Sequence, residues 1–270
     1  MQVVILCGGQ GTRLQEETHF RPKALVEIGE YPILWHVMKI YASYGFNEFI
    51  LCLGYKGEMI KRYFVDYEVM RNDLRITTGP VKSVAVLGAQ EQENWTVTCA
   101  DTGADTPTGG RVHHIKQFVP EDDDTFMLTY CDSLANVNIQ NLMDFHHSAG
   151  KIATVTGVRP PSRFGELQMD GNFATGFTKG VPVKAGWIDG GFFVFNRRIF
   201  DYLDDSCWLS GDVRDLQDGS GAATLQRLVD DGELSVYRHD GLWECMDTRR
   251  EMEMLTEMWI TGQAAWKTWK

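Results

Sequence analysis

Gly8, Gly9 and Gly11 fall close together, Thr12 and Arg13 follow at once, and Lys23 stands just beyond Pro22. A glycine-rich turn placed directly after an apolar strand lets backbone N–H groups approach a phosphate closely. Arg13 adds a guanidinium that stays charged and forks onto phosphate oxygens, and Lys23 adds a compact ammonium. The set suits a triphosphate. Spacing excludes the two common phosphate loops. A P-loop needs GxxxxGK[ST], and no lysine holds the required place. A dinucleotide fingerprint needs GxGxxG, and Leu14 stands where its third glycine should be. The glycines alone leave a plain tight turn open as the alternative.

Such a loop sits oddly in a chain with 26 basic and 37 acidic residues among 270, a net charge of −11. That balance argues against a nucleic-acid partner. An anionic ligand would need local positive charge or a bridging metal. With 43% hydrophobic and 23% charged residues the chain reads as an ordinary globular protein. No apolar run approaches the ~18 residues of a membrane span, and no basic leader with a small-residue cleavage site is visible. The expectation is a cytoplasmic protein with no membrane partner. The six cysteines are scattered with no CxxC pair and read as reduced core thiols.

The elements that would carry these residues alternate. VVILC (3–7) is a buried strand, 32–44 has helical spacing behind a proline, EFILCLG (48–54) is a second strand and 58–67 a second helix. Further strands are expected at 125–132, 152–158 and 190–196, and helices at 141–150, 223–232 and 248–262. This rhythm predicts an α/β fold: a Rossmann-like, mostly parallel mixed sheet with helices on both faces. Residues 88–110 and 204–221 read as loops, and residues 1–270 as one domain with inserted loops.

GGQGTRL followed by RPKALVEIGEYPILWH resembles the sugar-1-phosphate nucleotidyltransferases, and the likeness runs on through FMLTYCDSLANVNI, IDGGFFVFN, WECMDT and WKTW. It is strongest to the cytidylyl branch of that family. The resemblance implies transfer of CMP from CTP to a sugar 1-phosphate, glucose 1-phosphate first among them, with release of pyrophosphate. An already charged phosphate oxygen attacks, so no general base is needed, and positioning with charge neutralisation carries the rate. By the same resemblance Leu6, Gly8, Gly9, Gly11, Thr12 and Arg13 wrap the nucleotide, and Lys23 neutralises the reacting phosphate. Thr106, Thr108, Gly109 and Arg111 form a second nucleotide loop. Asp132 and Asp247 hold Mg²⁺, so Arg13, Lys23 and Asp132 form the catalytic set. Taken singly, each aspartate reads equally as a cap or turn residue. The resemblance also implies a homo-oligomer, with Trp259, Trp266 and Trp269 as interface candidates.

The sequence departs from the family at the metal strand, where YCDS (130–133) replaces YGDG, and more on the acceptor side, where GFTKGVPVKAG (176–186) lacks the Glu-Lys-Pro lysine and GAAT (221–224) replaces a glutamate motif. Gly165, Lys179 and Asp189 are the acceptor candidates, with Lys184 as the other replacement lysine. Asp189 stands where relatives carry asparagine. A different sugar phosphate, a different nucleotide, or a weakened nucleotide-sugar-binding protein therefore stay open. His113 and His114, read as strand neighbours, would point to opposite faces and make no chelating pair. His36 reads as a packing residue in an apolar helix.

Overall fold

The computed structural model describes residues 1–88, 93–159, 166–170, 173–178, 186–210 and 223–269, with the backbone alone for the stretches between 166 and 178. Seven strands form the main sheet: β1 (Gln2–Leu6), β2 (Glu48–Leu53), β3 (Thr96–Asp101), β4 (Thr125–Tyr130), β5 (Ala153–Val158), β6 (Ile188–Asn196) and β7 (Leu234–His239). Their order is β7-β5-β6-β4-β1-β2-β3. The pairs β1–β2, β1–β4, β2–β3 and β5–β7 are parallel, and β6 runs antiparallel to both neighbours. The mostly parallel mixed sheet is the one the sequence pattern implies.

Alternation along β1 explains its continuous apolar run. Val3 and Ile5 pack into one core layer with Leu34, Met38 and Leu142, while Val4 joins Phe126, Leu128, Phe193 and Phe195 in the other. A strand covered on both faces has no polar side to show. Helices α1 (Ile33–Ala42), α2 (Gly57–Val65), α3 (Thr108–His114), α4 (Ile139–Ala149), α5 (Thr224–Asp230) and α6 (Arg249–Ile260) accompany the sheet. Their ends follow local rules. The Asn138 side chain accepts from Asn141 N–H at the start of α4, and Thr248 and Glu251 form a capping box on α6.

Three readings change. Residues 88–110 are not all loop: they contain β3 and the start of α3. β3 is an edge strand, half-exposed, so it lacks the apolar run that betrays β1. His113 and His114 lie on α3 rather than on a strand, and both imidazoles reach one carboxylate: His114 Nε2 is 3.0 Å and His113 Nε2 3.9 Å from Asp205 Oδ1. Trp266 cannot face a partner, because it is 0% exposed within its own chain. Its Nε1 donates to His36 Nδ1 at 3.5 Å, while His36 Nε2 bonds the Ile28 carbonyl at 2.9 Å. Burial holds the His36 pKa down to about 4, so the ring is the neutral packing residue expected. Trp259 stands edge-on to the same imidazole. The six cysteines are unpaired, and among the described residues no helix is long and apolar enough to cross a membrane.

Candidate active site

The C-terminal ends of β1, β3 and β4 open onto one cavity of about 350 Å³, at the sheet edge where open α/β folds bind ligands. Leu6 and the glycine turn (Gly8, Gly9, Gly11) form one wall, Thr106, Thr108 and Arg111 a second, and Lys23 and Asp132 the floor. Gly11 has φ +62, a conformation that side chains oppose, and a Cβ there would sit 2.7 Å from Thr18 Cγ2. Thr12 faces away, into a neighbouring depression shared with Gln15, His19 and Tyr55.

The two aspartates meet through a short ribbon. Ser133–Ala135 pairs antiparallel with Trp243–Cys245, Cys245 opposite Ser133, and Met246 N–H donates to the Asp132 carbonyl at 2.8 Å. This ribbon lays the chain after β4 beside the chain before α6. The helix cap at this point is Thr248, not Asp247, so the Asp247 carboxylate is free to turn inward. Lys23 Nζ donates to Asp132 Oδ2 at 2.9 Å and to Asp247 Oδ1 at 2.7 Å. Arg13 Nη1 donates to Asp247 Oδ2 at 2.9 Å, although its side chain is 77% exposed. Burial opposes the charge on Lys23, but the carboxylates of Asp132 and Asp247 overcome it and hold the ammonium above the usual lysine value. Burial likewise opposes ionisation of Asp247, yet Lys23 and then Arg13 hold its carboxyl below the ordinary range. Two cations and two carboxylates thus form a self-neutralised cluster.

Arg111 lines the cavity and also braces it. It is 5% exposed, and its guanidinium donates to the carbonyls of Gly8 (3.2 Å), Leu53 (3.2 Å), Gly103 (2.7 Å) and Ala104 (3.0 Å) and to Thr102 Oγ1 (2.9 Å). It ties the turns after β1, β2 and β3 to one another. Desolvation lowers its pKa, and no carboxylate is among these acceptors. Asp105 and Asp101 stand near enough to favour the charge, but neither is bonded to it.

On the acceptor side, Asp189 keeps open surface, but packing around its carboxyl strips hydration and pushes the pKa up to about 6, against an N–H bond from Gly191 at 2.8 Å. Burial, with Asp189 second, also pushes the neighbouring Tyr130 phenol up, and its hydroxyl pairs with Ser210 Oγ at 3.1 Å. Of the two side chains that replace glycine, Ser133 is buried and turns its hydroxyl to Asp132 Oδ1 at 3.4 Å, away from the cavity, whereas Cys131 lines it. Gly165, Lys179 and Lys184 lie outside the described residues. Gly109 packs against Cys207 instead of lining the cavity. Tyr130 and Trp208 line the cavity and were not singled out as site residues from sequence. Tyr130 had a signal, standing two residues before Asp132, whereas Trp208 is hidden in an acidic, glycine-rich tract.

Residues 2–250 match the family described as "Nucleotidyl transferase". The chain belongs to that family. It is 45% identical over 100% of both chains to the Bacillus subtilis (strain 168) protein named "Probable glucose-1-phosphate cytidylyltransferase". It is 40% identical, again over 100% of both chains, to the glucose-1-phosphate cytidylyltransferase of Salmonella typhi. In fold, this nucleotidyl transferase matches HddC from Yersinia pseudotuberculosis at a TM-score of 0.62 and 20% identity, over 96% of this chain and 99% of that one.

Proposed function

We propose that this nucleotidyl transferase joins CTP and glucose 1-phosphate to give CDP-glucose and pyrophosphate. The observation that carries the reading is the meeting of Lys23 with Asp132 and Asp247 at the floor of a glycine-walled cavity. The full-length likeness to two cytidylyltransferases chooses the nucleotide and the acceptor. Backbone N–H groups of the glycine turn receive the triphosphate. Lys23 moves from the carboxylates to the reacting α-phosphate, and Arg13 turns from Asp247 to the departing pyrophosphate. The acceptor phosphate is ionised at neutral pH and needs no base. Positioning in line and neutralising charge are what remains for the protein to do.

Asp132 and Asp247 are the residues that would hold Mg²⁺. Two carboxylates that reach a single cation, beside a phosphate loop, fit a metal that takes one or two protein carboxylates and fills its shell from phosphate and water. When bound, the ion supplies charge neutralisation to phosphate oxygens. Asp189 and Tyr130, beside the strand end that carries Asp132, would face the sugar. The ionisable Asp189 favours one second reading, an acceptor phosphate with a different hydroxyl pattern.

The test is a matrix of five nucleoside triphosphates against several sugar 1-phosphates, with Mg²⁺, read as pyrophosphate release. Release with CTP and glucose 1-phosphate is expected. Release with UTP or dTTP but not CTP overturns the nucleotide assignment, and release only with another sugar phosphate moves the reading to the second one.

A further inference from the structure

Residues 207–210 form a strap beside the cavity, and we infer that Trp208 in this strap is a nucleobase platform. The inference rests on the nucleotidyl-transfer reading and adds a binding residue to it. Burial alternates along the strap: Cys207 and Leu209 are buried, at 8% and 0% exposure, within the core layer that holds Phe126 and Phe193, whereas Trp208 is half-buried and Ser210 exposed. Trp208, between them, therefore turns outward from the core and lines the cavity beside the glycine turn.

Backbone bonds fix the strap to the second nucleotide loop. Gly110 N–H donates to the Cys207 carbonyl at 3.1 Å, and Leu209 N–H donates to Thr108 Oγ1 at 3.0 Å. The contact is tight: a Cβ on Gly109 would lie 2.5 Å from Cys207 Sγ. From the far side, Thr224 N–H donates to the Trp208 carbonyl at 2.9 Å. Both residues flanking Trp208 are thus anchored on 108–110, which puts its ring on the side of the nucleotide loop. Ser210, one step further, reaches Tyr130 and the acceptor side. The indole itself is half-buried. Among the described residues its ring stacks on no other aromatic and its Nε1 has no acceptor, unlike Trp243, whose Nε1 donates to the Gly190 carbonyl at 2.7 Å. A large, rigid, outward-facing ring beside a polyphosphate cradle has the chemistry to stack on a base, and stacking tolerates any base. Base choice then falls to polar groups, and Trp208 contributes affinity.

The test is equilibrium binding of CTP to Trp208→Ala and Trp208→Phe, by titration calorimetry and by tryptophan fluorescence, with KM for glucose 1-phosphate measured alongside. Removing the ring is expected to weaken CTP binding about 5- to 150-fold, the range typical of one base–aromatic stack. Trp208→Phe should recover most of it. UTP should lose affinity by a similar factor. The CTP-dependent fluorescence change should vanish in Trp208→Phe, which keeps the other seven tryptophans. A CTP affinity within twofold of wild type in folded Trp208→Ala overturns the inference. So does a rise in the sugar-phosphate KM with CTP binding unchanged. If the alanine variant does not fold, a fluorescence change retained by Trp208→Phe overturns it equally. Wild-type protein that binds CTP but releases no pyrophosphate with any acceptor refutes the transfer reading and leaves Trp208 standing.

Discussion

Replacing Lys23 by methionine keeps an unbranched apolar stem and deletes the charge that Asp132 and Asp247 share. The ammonium is 11% exposed, and the two carboxylates are 29% and 21% exposed. Breaking a fully buried pair costs ~3–5 kcal/mol, and an exposed pair is worth ~0–1 kcal/mol. This cluster lies between the limits, and Arg13 continues to serve Asp247, so a loss of about 2 kcal/mol is expected. In thermal unfolding that is a fall in Tm of roughly 4–8 °C for a chain of this size. A double-mutant cycle isolates the contact. Lys23→Met and Asp247→Asn, singly and together, should show a coupling of at least ~1 kcal/mol in urea denaturation. The variant also leaves two carboxylates facing each other without their internal cation. Mn²⁺ alone, without nucleotide, should therefore raise the Tm of Lys23→Met and leave that of the wild type unchanged. Additive single effects, within ~0.5 kcal/mol, together with no Mn²⁺ response in the variant, would refute the shared-cation geometry.

Four further outcomes follow from the same structure. Asp132→Asn should cut turnover by ~100-fold or more while the chain stays folded, read from pyrophosphate release and circular dichroism. Arg111→Lys should destabilise the protein by ~1–3 kcal/mol, because one ammonium cannot serve the acceptors that the guanidinium now satisfies, and chemical denaturation measures it. The Asp189 carboxyl has a folded pKa raised to about 6, so ionising it costs stability as pH rises from the unfolded value through 6. Asp189→Asn should thus be more stable by about 1 kcal/mol at pH 7.5, discounted for exposure, and no more stable at pH 4. His36 has the opposite sign: its pKa is held down to about 4, so its contribution is complete above the unfolded value near 6.5 and is lost as pH falls from there toward 4. A His36→Gln variant should show a shallower acid-side slope in Tm against pH than the wild type.

Parts of this site were legible in the residues and parts were not, for physical reasons. The run Val3–Cys7 announces a doubly covered strand, and the glycine turn, Arg13 and Lys23 announce phosphate, because each signal is local. Asp132 was legible as the end of an apolar strand. The partnership of Asp132 with Asp247 was reached only through resemblance, since it depends on pairing 133–135 with 243–245, which no local pattern records. The bracing role of Arg111 was not legible, because its partners are backbone carbonyls gathered from three separate turns. β3 escaped because an edge strand tolerates polar residues. The strap at 207–210 escaped because the acidic, glycine-rich tract around it masks two core anchors and one outward ring.

The most direct test of the account is a ³¹P NMR time course of wild-type protein with CTP, glucose 1-phosphate and Mg²⁺. The expected result is equal growth of inorganic pyrophosphate and of a sugar-linked diphosphate, with loss of both substrates in step. Unchanged glucose 1-phosphate, with CTP intact or hydrolysed to orthophosphate, would contradict it.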